Sequence, residues 1–438
     1  MHHSYEALDR PGGTARRGLS VPLRRRDFRL LWIGMCVSLL GDGAFVVALA
    51  WQVYQLSDAP TAMGMVGVAM TVPTIEFLLV GGALSDRFNR RLLMLAADAA
   101  RLAAAATLAV LSLSGTLEIW HIGLLVAVYG TGQAFFAPAF DAIVPDLVPK
   151  DQLAQANALD QLIRPVALRM AGPAVGGVLV GVLGAGAVFA LDAASFAFSA
   201  AMLLLMRPVA APRGDAAGGS VLADLRDGWV FVRERSWLWV TFASAAVAYL
   251  LFMGPVEVLV PYVVKHDLGA AASDLGLIFG AGGLASLLTA VAMGRLGLPR
   301  RSMTFIYVAW TIATLAVAGY GLGTTVWQFM LASALFNALE TAGTIVWITA
   351  KQHHVPSGML GRVSSLDWLI SIGLLPLSFA LTGPVSAAIG AQTTLVVAGV
   401  AGAVVTLGGL FVPGVRAIER RAPREAAVET AEPVPVNA

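Results

Sequence analysis

Four carboxyl groups lie deep inside otherwise apolar stretches. Asp42 is flanked by Gly41 and Gly43, Glu76 follows Pro73 by three residues, Glu257 follows Gly254-Pro255, and Glu340 stands in Asn337-Ala-Leu-Glu340-Thr. An ionisable side chain in such a setting is costly and marks a functional position by default. None of the four has an evident basic partner in the sequence. The protonation of a buried, unpaired carboxyl depends on which side of a membrane it faces, as a proton-coupled carrier requires. Glu340 ranks first as a proton-coupling or substrate residue, because about 15 residues of helix at roughly 1.5 Å each bring it close to mid-bilayer. Glu76 and Asp42 follow: a kink at Pro73 opens space beside the first, and the glycines around the second admit another backbone or a ligand. Glu257 falls in the outer part of its run, and Asp192 reads as a structural carboxyl. The competing reading for each candidate is a carboxyl hydrogen-bonded to a neighbouring helix.

The arginines divide differently. Asp98 and Arg101 are one helical turn apart, the spacing of a natural ion pair. Arg164 and Arg169 stand one or two turns inside a run, where an arginine either faces a cavity or reaches back to the lipid headgroups. Other chemistries find little support. Cys36 is the only cysteine, so neither an intrachain disulfide nor a cysteine metal site can form. His353 and His354 are adjacent at a helix end and do not have the spacing of metal ligands. No Gly-rich loop ending in Gly-Lys-Ser or Gly-Lys-Thr occurs, so no nucleotide motor is expected. No catalytic residue, metal or cofactor is expected, and no enzyme activity.

The elements that hold these residues must be membrane helices. Of 438 residues, 58% are hydrophobic and 13% charged, far from the balance of a soluble domain. Runs of span length recur near 28–54, 61–84, 91–114, 118–148, 156–184 and 186–206, and again near 238–264, 273–296, 302–322, 325–351, 362–389 and 392–412. The predicted fold class is an all-α polytopic membrane protein of twelve spans in two pseudo-symmetric six-helix bundles, 28–206 and 238–412. A cytoplasmic tail, 1–27, carries His2, His3 and several arginines but no apolar core of a signal peptide. A second tail covers 413–438. The linker, 207–237, contains an amphipathic helix with Leu222, Leu225, Trp229, Val230 and Val232 opposed to Asp224, Arg226, Asp227 and Arg233. With both termini inside, every basic cluster falls on the cytoplasmic face and only Lys265 remains outside. The net charge of +2 therefore reports topology in a cell membrane and no nucleic-acid partner.

The halves repeat each other. Val148-Pro149, Leu153 and Leu159-Asp160-x-Leu162-Ile163 recur as Val355-Pro356, Leu360 and Leu366-Asp367-x-Leu369-Ile370, and Pro165 with Gly172-Pro173 recurs as Pro376 with Gly383-Pro384. Two parallel halves of six spans are one arrangement of secondary transporters. Between the second and third runs lies Gly82-Ala-Leu-Ser-Asp86-Arg87-Phe-Asn89-Arg90-Arg91, one acid and three guanidinium groups in ten residues. Its counterpart, Gly294 to Arg301, keeps basic residues but has Leu298 in place of the acid.

The loop from Gly82 to Arg91 resembles the signature between helices 2 and 3 of the major facilitator superfamily, with Asn89 where that family has glycine; asparagine tolerates a left-handed backbone. Gly172-Pro173-Ala-Val-Gly176-Gly177 resembles the core of the antiporter signature of the superfamily, although Leu168 departs from the longer pattern. Its proline and glycines favour a bend and close packing, as do Gly383 and Pro384. Phe28-Arg-Leu-Leu-Trp32, Gly41-Asp42-Gly43, Asp98 with Arg101, and Gly361-Arg362-Val363 are similar to the branch containing macrolide-efflux and enterobactin-export proteins. The resemblance implies a bacterial inner-membrane exporter of an amphipathic small molecule (a drug, macrolide or siderophore), working by alternating access with protons moving inward. The alternatives are an importer of a nutrient or metabolite and a non-transporting sensor or assembly partner. The resemblance also implies a cytoplasmic gate. Gly82 lets helix 2 approach helix 11, Asp86 faces the start of helix 11 around Arg362, and Arg87, Arg90 and Arg91 reach Asp141, Asp146 or Asp98, with Arg101 beside it. The gate is expected to latch the outward-open state.

Overall fold

The computed structural model describes residues 20–149, 152–207, 221–296 and 299–419. Among them twelve helices are long and apolar enough to cross a membrane. The helical solution follows from the solvent: in hydrocarbon every backbone N–H and C=O must be satisfied within its own segment. The first six spans are α1 (Arg26–Leu56), α2 (Pro60–Arg87), α3 (Arg90–Leu113), α4 (Ile119–Leu147), the pair α5 (Leu153–Pro165) and α6 (Gly172–Leu183), and α7 (Ala185–Leu205). A linker helix, α8 (Val221–Arg233), precedes α9 (Ser236–His266), α10 (Ala272–Leu296), α11 (Ser302–Leu322), α12 (Val326–His354), the pair α13 (Ser357–Gly373) and α14 (Leu375–Ile389), and α15 (Ala391–Leu410).

The fifth and eleventh spans are both interrupted, and the sequence repeat explains why. Between α5 and α6 the chain runs through a π-helical turn, Val166–Ala171, bounded by Pro165 and by Gly172-Pro173. Proline at 173 has no N–H to give the carbonyl of Arg169, so the α register fails there. In the second half α13 stops at Gly373 and Pro376 starts the next segment. Both spans then end on a glycine at positive φ, Gly184 at 82° and Gly390 at 86°, and the next helix begins at once. A left-handed residue at that corner reverses the chain without a loop, at little cost for glycine.

The core is organised in three parts. On the linker side each half packs its own apolar cluster, Phe28, Met94, Phe140 and Leu203 in the first and Val232, Trp237, Tyr307, Val363 and Leu366 in the second. Away from the linker a single cluster runs through both halves and includes Phe45, Tyr54, Phe189, Val258, Val260 and Tyr320. The halves are therefore fused at one end of the molecule. Polar contacts reinforce that end: Tyr54 Oη donates to the Val258 carbonyl at 2.6 Å, the Lys265 ammonium donates to the Tyr54 carbonyl, and His266 Nε2 lies 2.9 Å from Asp58 Oδ1. α6 meets α10 where a Cβ on Gly177 would stand 2.8 Å from the Cα of Gly276, so only paired glycines allow this approach.

The linker helix packs on α13 by one face. Trp229 and Val230 are half exposed, and the residues that pack inward are Gly228 and Val232, against Arg362 and Leu366 of α13. Arg362 Nη1 also lies 3.7 Å from Asp227 of the linker helix. Docking against α13 selects the narrow side of the helix, where glycine permits close approach, and turns the bulky pair outward. Leu222, Asp224 and Leu225 have side chains outside the described residues.

Candidate functional site

The fold brings two of the four sequence candidates into one cavity. A space of about 230 Å³ lies between the halves, walled by Arg169, Leu168 and Pro173 from the first and by Tyr249, Glu257, Phe336 and Glu340 from the second. Glu340 is 14 residues from each end of α12, about 21 Å at 1.5 Å per residue, so it sits at mid-helix. The lack of a basic partner does not survive folding. Arg169 Nη1 approaches Glu340 Oε2 at 3.4 Å across the interface between the halves, and Thr344 Oγ1 donates to the other carboxylate oxygen at 3.1 Å. The π-helical turn presents Arg169, and the Arg169 carbonyl packs against Gly283 of α10, where a Cβ would collide with it. Glu257, placed by the sequence in the outer part of its span, lines the same cavity and has no hydrogen-bond or ion-pair partner among the described residues. It does stand in the outer part of α9, nearer His266 than Ser236, and the cavity reaches that level.

Asp42 belongs elsewhere, and it too is partnered. Tyr129 Oη donates to Asp42 Oδ1 at 2.5 Å and also lies 3.3 Å from Asp192 Oδ2, so one hydroxyl stands between two carboxyls. Arg101 Nη1 is 3.9 Å from Asp42 Oδ2, while Arg101 Nη2 donates to Asp98 Oδ1 at 2.6 Å. Ser199 donates to the second oxygen of Asp98 at 2.7 Å, and Gln133 accepts from Arg101 at 3.1 Å. The guanidinium also lies over the rings of Phe136 and Phe196, 4.6 and 4.4 Å from their centroids. Arg101, Asp98 and Asp192 are each at most 1% exposed. Four helices, α1, α3, α4 and α7, thus meet on a buried network of three carboxyls, one guanidinium and one phenol.

Asp98 and Arg101 were expected at the cytoplasmic gate and instead form the centre of this network. Asp98 is nine residues into α3, and its first turns carry it away from the loop. Asp192, read as structural, is part of it as well; its depth in α7 was the available signal, since ionisable groups at that depth are expensive. Tyr129 and Gln133 carry no comparable mark in the sequence. Glu76 is exposed on α2 and does not line the central cavity.

Around the loop, Arg90 Nη1 pairs with Asp146 at 2.7 Å and also donates to the Ala142 carbonyl at 2.9 Å. Arg91 donates to the carbonyls of Leu203 and Leu204 at 2.6 and 2.8 Å, tying α3 to the end of α7 with no acid involved. Asn89 is extended and not left-handed: with φ −64° it caps α3, its side chain accepting from Leu92 N at 3.3 Å. Asp141 lines a separate pocket of about 320 Å³ with Trp32, Phe140 and Asp160. Arg164, a cavity candidate, pairs with Asp160 at 2.8 Å. The surroundings of Gly82, the side chains of Asp86 and Arg87, and all of Leu298 lie outside the described residues. At the repeat position of Asp160, Asp367 accepts from Trp347 Nε1 at 2.8 Å and pairs with buried Lys351, an interaction the repeat marked without naming its partner.

Gly172 and Gly176 form the seam between α6 and α1, opposite Gly43 and Ala44, and Gly383, followed by Pro384, fits against Thr61 of α2. α2 and the eleventh span therefore meet at their ends remote from the linker.

Among the described residues no group of three or more His, Cys, Asp or Glu side chains is placed to hold a metal ion. The cavity offers a bilayer-deep, largely apolar space with two carboxyls and one guanidinium, suited to binding and release and not to bond chemistry.

Comparison with known proteins agrees with that architecture. The family model for transmembrane secretion effectors matches residues 18–432. Macrolide efflux protein A of Streptococcus pyogenes is 23% identical over 237 residues, which is 54% of this chain and 58% of that protein, so the chain spans less than two thirds of that relative's length. Enterobactin exporter EntS of Shigella boydii is 27% identical over 360 residues, 77% of this chain and 80% of the exporter. A bacterial homologue of the iron transporter ferroportin, solved in an inward-facing state, superposes with a TM-score of 0.66 at 17% identity, covering 88% of this chain and 99% of that one. These relatives are transporters and not enzymes, and the solved neighbour shares the fold. Two six-helix halves around a mid-bilayer cavity, together with a family match over nearly the whole length, make this chain a member of the transmembrane secretion effector family of the major facilitator superfamily.

Proposed function

We propose that this protein is a secondary transporter that exports an amphipathic small molecule by alternating access, in exchange for protons, across a bacterial cytoplasmic membrane with both termini in the cytoplasm. The observation that carries the reading is the Arg169–Glu340 pair, which bridges the two halves inside a mid-bilayer cavity while each half keeps a separate core on the linker side. A pair in that position forms or breaks as the halves rock, and its carboxyl exchanges a proton when the guanidinium withdraws. The exporters among the relatives favour outward transport of drugs or siderophores. In this reading the basic loop is a cytoplasmic latch. Arg90 with Asp146 anchors it to α4, and Asp86 is its contact to the start of α13 in the outward-open state.

Proteoliposomes containing the purified protein test the proposal directly. Amphipathic compounds added to the lumen or bath are expected to drive proton movement of opposite sign to their own, and a collapsed pH gradient abolishes their accumulation. Uptake into the cytoplasmic compartment in right-side-out vesicles supports an importer instead. Absence of counterflow with every compound of the panel rejects transport and leaves a sensor or assembly partner.

A further inference from the structure

The charge count of the central cavity separates the candidate substrates. Two carboxyls, Glu257 and Glu340, and one guanidinium, Arg169, line it among the described residues. Arg169 lies 3.4 Å from Glu340 and acts on Glu257 only from beyond ion-pair distance, so Glu257 is left without a hydrogen-bond or ion-pair partner among the described residues. A carboxylate in such a place is stabilised by a ligand that brings its own positive charge and N–H donors. Tyr249, Phe279, Tyr320 and Phe336 line the same cavity, and aromatic rings attract an ammonium through their quadrupole. Val46, Met253 and Val256 add walls that fit hydrocarbon, and Ser333 and Asn337 are the remaining polar side chains of the lining.

We propose that this cavity selects amphipathic molecules bearing one protonated amine, with Glu257 receiving the ammonium and the aromatic flank holding the carbon skeleton beside it. The inference rests on the transporter reading above and narrows its substrate class. A polyanionic ligand places its second negative charge against Glu257 or Glu340. An uncharged one leaves Glu257 unpaired, so both bind more weakly than the amine.

The test uses the full chain in lipid nanodiscs with no gradient, and a matched probe set: a dansyl-linked tertiary amine, its uncharged amide analogue and its carboxylate analogue. The amine is expected to bind about tenfold or more tightly than either analogue, the scale of one charge-assisted hydrogen bond. Glu257→Gln should bring the amine down to the level of the amide and leave the amide unchanged. Equal binding of the carboxylate analogue, or an amine affinity unmoved by Glu257→Gln, overturns the proposal. Should that variant not fold, Arg169→Gln decides: the amine is held or tightened while the carboxylate analogue weakens, and parallel loss of both overturns the selectivity. Efflux of the same probes keeps the two readings apart. Amine binding without gradient-driven efflux supports the selectivity and removes the transport reading, whereas preferred efflux of the amide or carboxylate keeps transport and overturns the selectivity.

Discussion

Arg169, on the π-helical turn of the fifth span, lies 3.4 Å from Glu340 at the middle of the tenth, and the two come from opposite halves of the molecule. The turn that exposes the arginine exists because prolines bracket it. Local helix breakage and a long-range ion pair are one structural event. Arg169 is 53% exposed in the cavity, so solvent screening keeps the contribution of the pair to folding near zero to about 1 kcal/mol.

Glu340→Gln should therefore spare the fold and impair transport. Gradient-driven efflux in proteoliposomes is expected to drop by about tenfold or more while the thermal unfolding midpoint stays within a few degrees. Full efflux with an unchanged pH dependence removes Glu340 from the mechanism.

Exchange of the pair probes its geometry. Arg169→Glu alone and Glu340→Arg alone should each lose transport through like-charge repulsion across the interface. The double exchange should regain part of it, with a coupling of about 0.5–3 kcal/mol in a double-mutant cycle. Additive effects would show that the two side chains act independently.

The Asp98–Arg101 pair predicts the opposite balance. Both side chains are at most 2% exposed; removing Arg101 leaves buried carboxyls without their cation, and removing Asp98 leaves Arg101 only the longer 3.9 Å contact to Asp42. Asp98→Ala or Arg101→Ala should lower stability by about 3–5 kcal/mol, read as a large fall in the unfolding midpoint in detergent. A variant with wild-type stability means that water reaches this network.

Tyr129→Phe removes the hydroxyl between Asp42 and Asp192 and little else. The expected loss is about 1–3 kcal/mol, the cost of an unmet buried hydrogen bond. A variant with wild-type stability means that water takes the place of the phenol between the two carboxyls.

Gly177→Val adds a side chain where α6 touches Gly276 of α10. Spin-label distances across the end remote from the linker should lengthen and broaden as the wedge keeps that end from closing. Unchanged distances would show that α10 yields without moving the halves.

Much of this was legible before folding. Hydropathy located the spans because a bilayer demands long apolar runs whatever their partners, and the recurrence of Gly172-Pro173 as Gly383-Pro384 marked the two interrupted helices. Depth identified Glu340. Depth ranked Glu257 last, since it stands in the outer part of a span of 31 residues; that it nonetheless lines the cavity depends on how the halves pack around it. The absence of a neighbouring basic residue in sequence also misled for Asp42, whose partners Arg101 and Tyr129 stand on α3 and α4.

What the sequence alone determined is therefore the class of molecule and the list of costly residues: composition, span length and the repeated proline and glycine positions are local properties, set by the backbone's need for internal hydrogen bonds. Which charges meet was decided only by tertiary packing. Asp192 joined Asp42 because one phenol from α4 reaches both, and Arg169 found Glu340 because two halves close against each other at paired glycines. In a low-dielectric interior the energy of a charge depends on its nearest partner, and helices distant in sequence supply that partner.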